Sequence, residues 1–456
     1  MKKMLIFVVL SLLLFGIADA KTLRDVGNRN NNNLMTGEIV RINYEYSDSD
    51  HKEEDVFFGD DGSEYTLSLS RGLTMPSSGS LVGLEGIRKG KEIVVDGFWS
   101  LRERNVLGNA GGYSGESGSL RTEKYKQIGE QKTAVVLLNF SNGNFVGETL
   151  KEIDARVFSE ARGNSINSYL KEVSYGKTFL SGKVFGWYQT QEEANSQSCT
   201  TGNLLKKAIS LSDGEIDFGK YSRLIVITSG GCSYGGASFE GGKRVITNEG
   251  NFTYGVLFLN SLNNINNGVG VHEFGHTLGL SHSNYYQCGA KPMGDYNECN
   301  SIQYEDMFDV MGWPSLTGHF NSIYKKQLGW FDGNNILENP ASGEYRIYPI
   351  EKKGERIKTI VLDSSFGFKY YIEYRRSVGF DSFALQHGSD LYDGAMIRVN
   401  VNSGGGRSQL IDMRPDSNMK DVVLRKGETF DDKLSRLKIT TSDFNEDYLT
   451  ILVEKY

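Results

Sequence analysis

The sequence predicts a multidomain α+β protein: a central α+β unit with a mixed sheet, preceded by a small β-barrel-like unit and followed by a β-sandwich. Three observations carry this. At 456 residues the chain is too long for one ordinary hydrophobic core. Short β-like runs separated by Gly, Asp and Ser fill both ends, whereas apolar strands alternate with segments of helical spacing in the middle. A Gly- and Ser-rich stretch divides the first β-rich part from the rest. Hydrophobic residues at 38% and charged residues at 23% describe a globular chain. A net charge of −7 gives no electrostatic reason for nucleic acid or an anionic membrane as partner, and neither is expected.

Residues 1–20 read as a secretory signal peptide. Lys2 and Lys3 precede the apolar run Met4–Phe15, and Ala18-Asp19-Ala20 supplies a small-x-small cleavage site after Ala20. The run is short for a membrane span, and no later segment is apolar enough for stable insertion. The expected location is therefore secreted, extracellular or periplasmic. Residues 21–35 form an Asn-rich lead-in. Residues 36–104 carry strand-like runs at Glu38–Tyr46, Tyr65–Leu69 and Glu92–Phe98, which suggest a small all-β unit of OB-like topology. Residues 105–131 read as the Gly/Ser-rich linker, either a tether or a site of activating cleavage.

Residues 132–335 form the α+β unit. Strands are expected at Ala134–Phe140, Phe179–Tyr188, Leu224–Thr228 and Tyr254–Leu259, with helices at Glu148–Phe158 and Ser165–Val173. Residues 336–456 return to strands, at Tyr345–Ile350, Lys358–Leu362, Tyr370–Tyr374, Ala395–Val401, Leu410–Met413 and Leu449–Val453, as in a β-sandwich. Four cysteines follow the export signal: Cys199, Cys232, Cys288 and Cys299. An even count in an oxidising compartment implies two disulfides. Of three possible pairings, Cys199–Cys232 with Cys288–Cys299 is preferred, and the spacing is not that of a cysteine zinc site.

The chemistry concentrates in Val271-His272-Glu273-Phe274-Gly275-His276-Thr277-Leu278-Gly279-Leu280-Ser281-His282, which holds half of the chain's 6 histidines. Positions i and i+4 share a helix face, so His272 and His276 can turn two imidazoles to one metal ion. Gly279 can end the helix through a left-handed turn, and His282 can fold back as a third ligand. Three histidines leave one tetrahedral position open, as a catalytic Zn2+ requires. Glu273 is placed to act as general base without being a ligand.

This stretch resembles the extended zinc motif of the metzincin clan of metallopeptidases. The clan's methionine turn has a counterpart in Phe308-Asp309-Val310-Met311-Gly312, with Met311 as support beneath the metal. Within the clan the chain is most similar to the gametolysin family, through Glu172–Lys177, Leu180-Ser181-Gly182, Gly186-Trp187-Tyr188, His319-Phe320-Asn321, Leu328-Gly329-Trp330 and Tyr371–Arg375. The resemblance covers roughly residues 130–456. It implies a metzincin-like catalytic domain and a secreted zinc endopeptidase acting on extracellular or cell-wall proteins. Cys288–Cys299 would then hold the loop between His282 and Met311. Some metzincins carry a Tyr two positions after the turn methionine, where this chain has Trp313. Tyr304 or Tyr285 could supply the hydroxyl instead.

Further expectations follow. Substrate would lie extended along an edge strand, with Tyr254–Leu259 as the candidate. His319 is expected in a structural role, and His51 and His387 at the surface. No Cys precedes residue 199, so the N-terminal unit is either an inhibitor that uses a carboxylate or steric occlusion, or equally a substrate-binding or folding module. The rival reading is a catalytically silent secreted binding protein or adhesin with a structural zinc.

Overall fold

The computed structural model describes residues 34–47, 50–101, 127–143, 147–289, 291–292, 299–401, 407–415 and 421–456. The expected signal peptide and most of the expected lead-in and linker lie outside these. The chain is multidomain and mostly β, with strand outweighing helix by 42% to 19%.

The N-terminal unit holds β1 (Leu34–Ser47), β2 (Asp50–Gly59), β3 (Glu64–Leu69), β4 (Ser80–Lys89) and β5 (Glu92–Ser100). β1 therefore starts inside the expected lead-in. The pairings run β1–β2–β3–β5–β4 and return to β1, with β3 and β5 parallel. Ile39, Phe57, Tyr65, Leu84 and Val95 fill the centre of this circuit.

The middle unit contains β6 (Gly129–Asn139), α1 (Leu150–Phe158), α2 (Ile166–Val173), β7 (Thr178–Gln189), α3 (Thr201–Ser212), β8 (Arg223–Thr228), β9 (Gly236–Phe239), β10 (Lys243–Thr247), β11 (Gly250–Leu259) and α4 (Val269–Thr277). β6 begins within the expected linker. Strands β7, β6, β8 and β11 are parallel neighbours, and β9 joins antiparallel to β11, so the sheet is mixed as expected. β8, most of β6 and the second half of β11 are buried on both faces, which is why they read as continuous apolar runs, whereas β7 is the edge strand and is exposed at Gly182 and Lys183. One face packs Val135, Leu137, Ile225 and Leu257 against α1, α2 and α4. The other packs Ala134, Val136, Leu224 and Phe258 against α3.

Two expectations change here. Tyr254–Leu259 lies within β11, which runs between β8 and β9 and is no edge. The strand at this border is β9, and β1 of the N-terminal unit pairs with it, antiparallel, from Ile42↔Phe239 to Glu45↔Gly236. One continuous sheet of 11 strands thus spans both units. Val40, Ile42 and Tyr44 of β1 are buried in the core of the middle unit.

After α4 come β12 (Ser283–Gln287), β13 (Asn300–Ile302) and α5 (Ser322–Gln327), then β14 (Ile336–Glu338), β15 (Gly343–Ile347), β16 (Thr359–Asp363), β17 (Lys369–Glu373), α6 (Ala384–His387), β18 (Gly394–Val401), β19 (Arg407–Ile411), β20 (Leu424–Arg425), β21 (Thr429–Asp432), β22 (Leu437–Phe444) and β23 (Leu449–Lys455). They build an eight-stranded sheet, β13-β12-β19-β18-β17-β16-β14 with β20 on β18, and a four-stranded sheet, β15-β23-β22-β21. Side chains of both sheets share one core, including Ile372, Ile397, Ile439 and Ile451. The division at residue 335 is not a clean one: β12 and β13 precede it, yet β12 pairs parallel with β19.

Cys199–Cys232 and Cys288–Cys299 are both bonded, in the preferred pairing. The first ties the start of α3 to the loop leading into β9. The second closes the loop between β12 and β13. Among the described residues no helix is long and apolar enough to cross a membrane.

Candidate metal centre

Helix α4 carries His272, Glu273 and His276, all fully buried. Its end explains how His282 returns. Gly279 has φ +84°, and its N–H donates to the His276 carbonyl at 2.8 Å while that of Leu280 donates to Gly275 at 3.2 Å. These two bonds form a Schellman cap that only the left-handed glycine turn permits. Arg223, buried at the start of β8, donates through Nη1 to the Thr277 carbonyl at 2.7 Å. A cation there suits the negative end of the helix.

Each Nδ1 is committed to an acceptor. That of His272 meets the Val310 carbonyl at 2.7 Å, that of His276 the Leu280 carbonyl at 2.7 Å, and that of His282 Glu53 Oε1 at 2.9 Å. Carbonyls only accept, so Nδ1 of His272 and His276 carries a proton, and in the neutral ring the Nε2 lone pair is the one left for a metal, the arrangement found around metal-ligating histidines. The Nε2 atoms converge: those of His272 and His276 are 3.1 Å apart. The edge of a tetrahedron with bonds of about 2.0 Å is about 3.3 Å.

The fourth member comes from β1. Glu45 Oε1 lies 3.1 Å from His272 Nε2 and 3.2 Å from His282 Nε2. Together Glu45, His272, His276 and His282 offer four ligand atoms within 4.8 Å of one another, a group that could hold a metal ion. Two further buried oxygens, Glu45 Oε2 and Glu273 Oε1, have no hydrogen-bond partner among the described residues. Buried polar atoms are costly without partners, so the donor set fits a cation.

Burial would raise the Glu45 carboxyl, but the His272 and His282 imidazoles overcome it and hold it well below its ordinary range. Burial would also lower His272, and Glu45 reverses this, pushing it up to about 9. His276 is held well below its usual value by burial and then by His282 and His272. Glu273, outside the ligand group, is pushed well above by burial. Ser238 of β9 donates to its Oε2 at 2.5 Å.

Met311 is fully buried, and its Sδ presses on Gly275, where an added Cβ would meet it at 2.4 Å. Asp309 holds this turn, accepting from Met311 N at 2.7 Å and from Asn321 N at 2.7 Å. Two buried arginines anchor it, Arg398 from β18 and Arg375 from just beyond the end of β17. Arg398 pairs with Asp306, and Arg375 donates to the carbonyls of Phe308 and His319.

Tyr304 reaches the centre from the turn after β13; its hydroxyl contacts both His282 Nε2 and Glu45 Oε1. It has φ +64°, a conformation that is strained for a bulky side chain and clusters at functional sites. Tyr285 is not in the centre: it is buried beside Met307 and Leu410. His319 also stands apart, with Nε2 2.9 Å from Glu172 Oε1 and Nδ1 3.3 Å from Lys325 Nζ. His51 is not simply a surface residue. Its ring centroid is 3.8 Å from that of Tyr304 and 5.4 Å from that of His282. The side chain of His387 lies outside the described residues. Glu45, Glu53 and Ser238 are additions that the motif does not contain.

Fold and centre together define a multidomain, mostly β protein with a buried histidine–carboxylate group able to hold a metal. No protein-family model matches the chain, and no curated protein matches it either.

Proposed function

We propose that the chain is an exported zinc-dependent endopeptidase of metzincin type, similar to the gametolysin family, that hydrolyses peptide bonds of extracellular or cell-wall proteins. The observation that carries this reading is the convergence of three Nε2 atoms on one point, with the buried Glu273 carboxyl on the same helix. Zinc bound there would polarise a water molecule and the scissile carbonyl. Glu273 takes the proton of the attacking water and returns it to the leaving amine; its raised proton affinity suits both steps. Ser238 holds the carboxylate in place through Oε2. The Tyr304 hydroxyl is the donor placed to meet charge developing on the carbonyl oxygen. Two disulfides and the N-terminal leader sequence support export. The closed pairing circuit of β1–β5 supports an OB-like barrel ahead of the catalytic domain.

Because Glu45 stands in the site, the test uses the Glu45→Ala chain on casein, with and without a chelator, beside the Glu45→Ala/Glu273→Ala double variant. Hydrolysis that survives either the chelator or the loss of Glu273 would sink the proposal. One observation favours the second reading, a secreted binding protein or adhesin with a structural zinc: four protein ligands make a closed site. A zinc-loaded Glu45→Ala chain that cleaves nothing would select it.

A further inference from the structure

The open metal position and the free strand edge, which a peptidase needs for substrate, are both filled by one segment of β1. Residues Ile42–Glu45 lie antiparallel along β9, in register with Gly236–Phe239. Gly235 N donates to the Glu45 carbonyl at 2.6 Å, and Glu240 N to the Arg41 carbonyl at 2.9 Å. These are the bonds an extended peptide would make by adding to that edge. The period of two along the strand sends Ile42 and Tyr44 into the core of the middle unit and turns Asn43 and Glu45 to the opposite face. There Glu45 meets two of the three histidines, and Asn43 lies across from Ser238, the residue that holds Glu273. Both polar atoms of the Asn43 side chain are buried without a hydrogen-bond partner among the described residues. No side chain is gained for folding by placing two polar groups there; their positions follow the centre instead.

We infer that Glu45 is a fourth protein ligand of the metal and that β1 occupies the substrate groove, so that the N-terminal unit is a built-in inhibitor of the site. This rests on the peptidase reading for the word inhibitor, but the closing of the metal position stands independently of it. The bond that blocks the site is coordinative and needs no oxidant or thiol. Release requires only that β1 leave β9. Glu53, held against His282 Nδ1 at 2.9 Å, leaves with the same unit.

The experiment uses the full chain loaded with cobalt(II) in place of zinc, as wild type, Glu45→Gln and Glu45→Ala. Acetohydroxamate, a small bidentate anion, reports an open position through the visible spectrum. The expected result is no spectral change for wild type and a change for both variants. Zinc affinity, by competition with a chromogenic chelator, should weaken at least about 10-fold on losing Glu45. Casein hydrolysis should rise at least about 10-fold in the variants, because loss of the Glu45–metal bond removes the anchor that keeps β1 on β9. A wild-type spectrum that responds as the variants' do, or equal zinc affinities, overturns the inference. A variant that responds to acetohydroxamate but hydrolyses no protein upholds the closed metal position and removes the peptidase reading instead. Should Glu45→Ala fail to fold, Glu45→Gln keeps the shape and removes the charge, and its spectrum decides.

Discussion

Glu45 Oε1 and His272 Nε2 lie 3.1 Å apart although 227 positions separate them in the chain. The contact joins two units that the sequence divides by a Gly/Ser-rich stretch, and it exists because β1 continues the sheet of the middle unit through β9. A carboxylate and an imidazole buried together stabilise each other's charged forms. A cation between them satisfies both without protonation.

Metal binding should therefore be a folding term. His276→Ala removes one Nε2 from the group, and zinc per chain is expected to fall from about one to near zero by elemental analysis. The melting temperature of wild type should drop on chelation, because a ligand at about 1,000 times its Kd stabilises by about 4 kcal/mol. That of His276→Ala should not respond. An unchanged wild-type melting temperature in excess chelator would remove the metal from the centre.

Glu273→Gln, made in the Glu45→Ala chain, is expected to lose about 10²–10⁴-fold in kcat, the usual contribution of a positioned base. Glu273 is outside the ligand group, so zinc affinity should change little. Equal loss of zinc and activity would make Glu273 a ligand rather than a base.

Tyr304→Phe in the same background keeps the ring against His51 and His282 and removes only the hydroxyl. If that hydroxyl steadies developing charge, kcat falls about 10²–10³-fold with KM nearly constant. A fall confined to KM would assign it to binding.

Arg398 is fully buried between Asp306 and Glu373, on β18 of the C-terminal sheet. Replacing it with Met leaves the buried Asp306 carboxylate without its cation and Glu373 with Arg375 alone, at 3.8 Å. We expect about 3–5 kcal/mol of lost stability in urea unfolding. Because Asp306 also accepts from Ser283, next to His282, zinc affinity should weaken in parallel. Full stability in Arg398→Met would mean that the sheet does not brace the site.

The parts of the centre that are legible in the sequence are those set by local spacing. His272 and His276 share a helix face, Gly279 ends the helix, and His282 follows within a few residues, so one short window specifies them. The parallel strands β6, β8 and the second half of β11 are legible for a similar reason, since burial on both faces leaves continuous apolar runs. Glu45 is not legible: an acidic residue in an alternating strand looks like a solvated face, and its place depends on β1–β9 register across the chain. β9 itself is Gly-Ala-Ser-Phe, with no β-branched residue to announce it. Helix α3 did carry a signal, in Leu204, Leu205, Ala208 and Ile209, which are buried at helical spacing.

A last prediction concerns Lys325, fully buried on α5, where Nζ donates to the Val173 carbonyl at 2.7 Å. Burial lowers its pKa from 10.5 to about 7, with Arg375 and Lys358 adding to the effect and Glu351 and Asp381 opposing it. Between pH 7 and 10 the unfolded chain holds this proton and the folded chain does not. The unfolded state then binds more protons, so raising pH favours folding, by up to about 1.4 kcal/mol per pH unit. Below pH 7 both states are protonated, and the cost of the buried charge is constant. Urea unfolding at pH 7, 8, 9 and 10, beside Lys325→Met, should show wild type gaining stability relative to the variant as pH rises. Lys358, lowered to about 8 by burial, adds a slope of the same sign in both chains. Parallel curves would mean that Lys325 keeps its proton throughout, held by the carboxylates of Glu351 and Asp381.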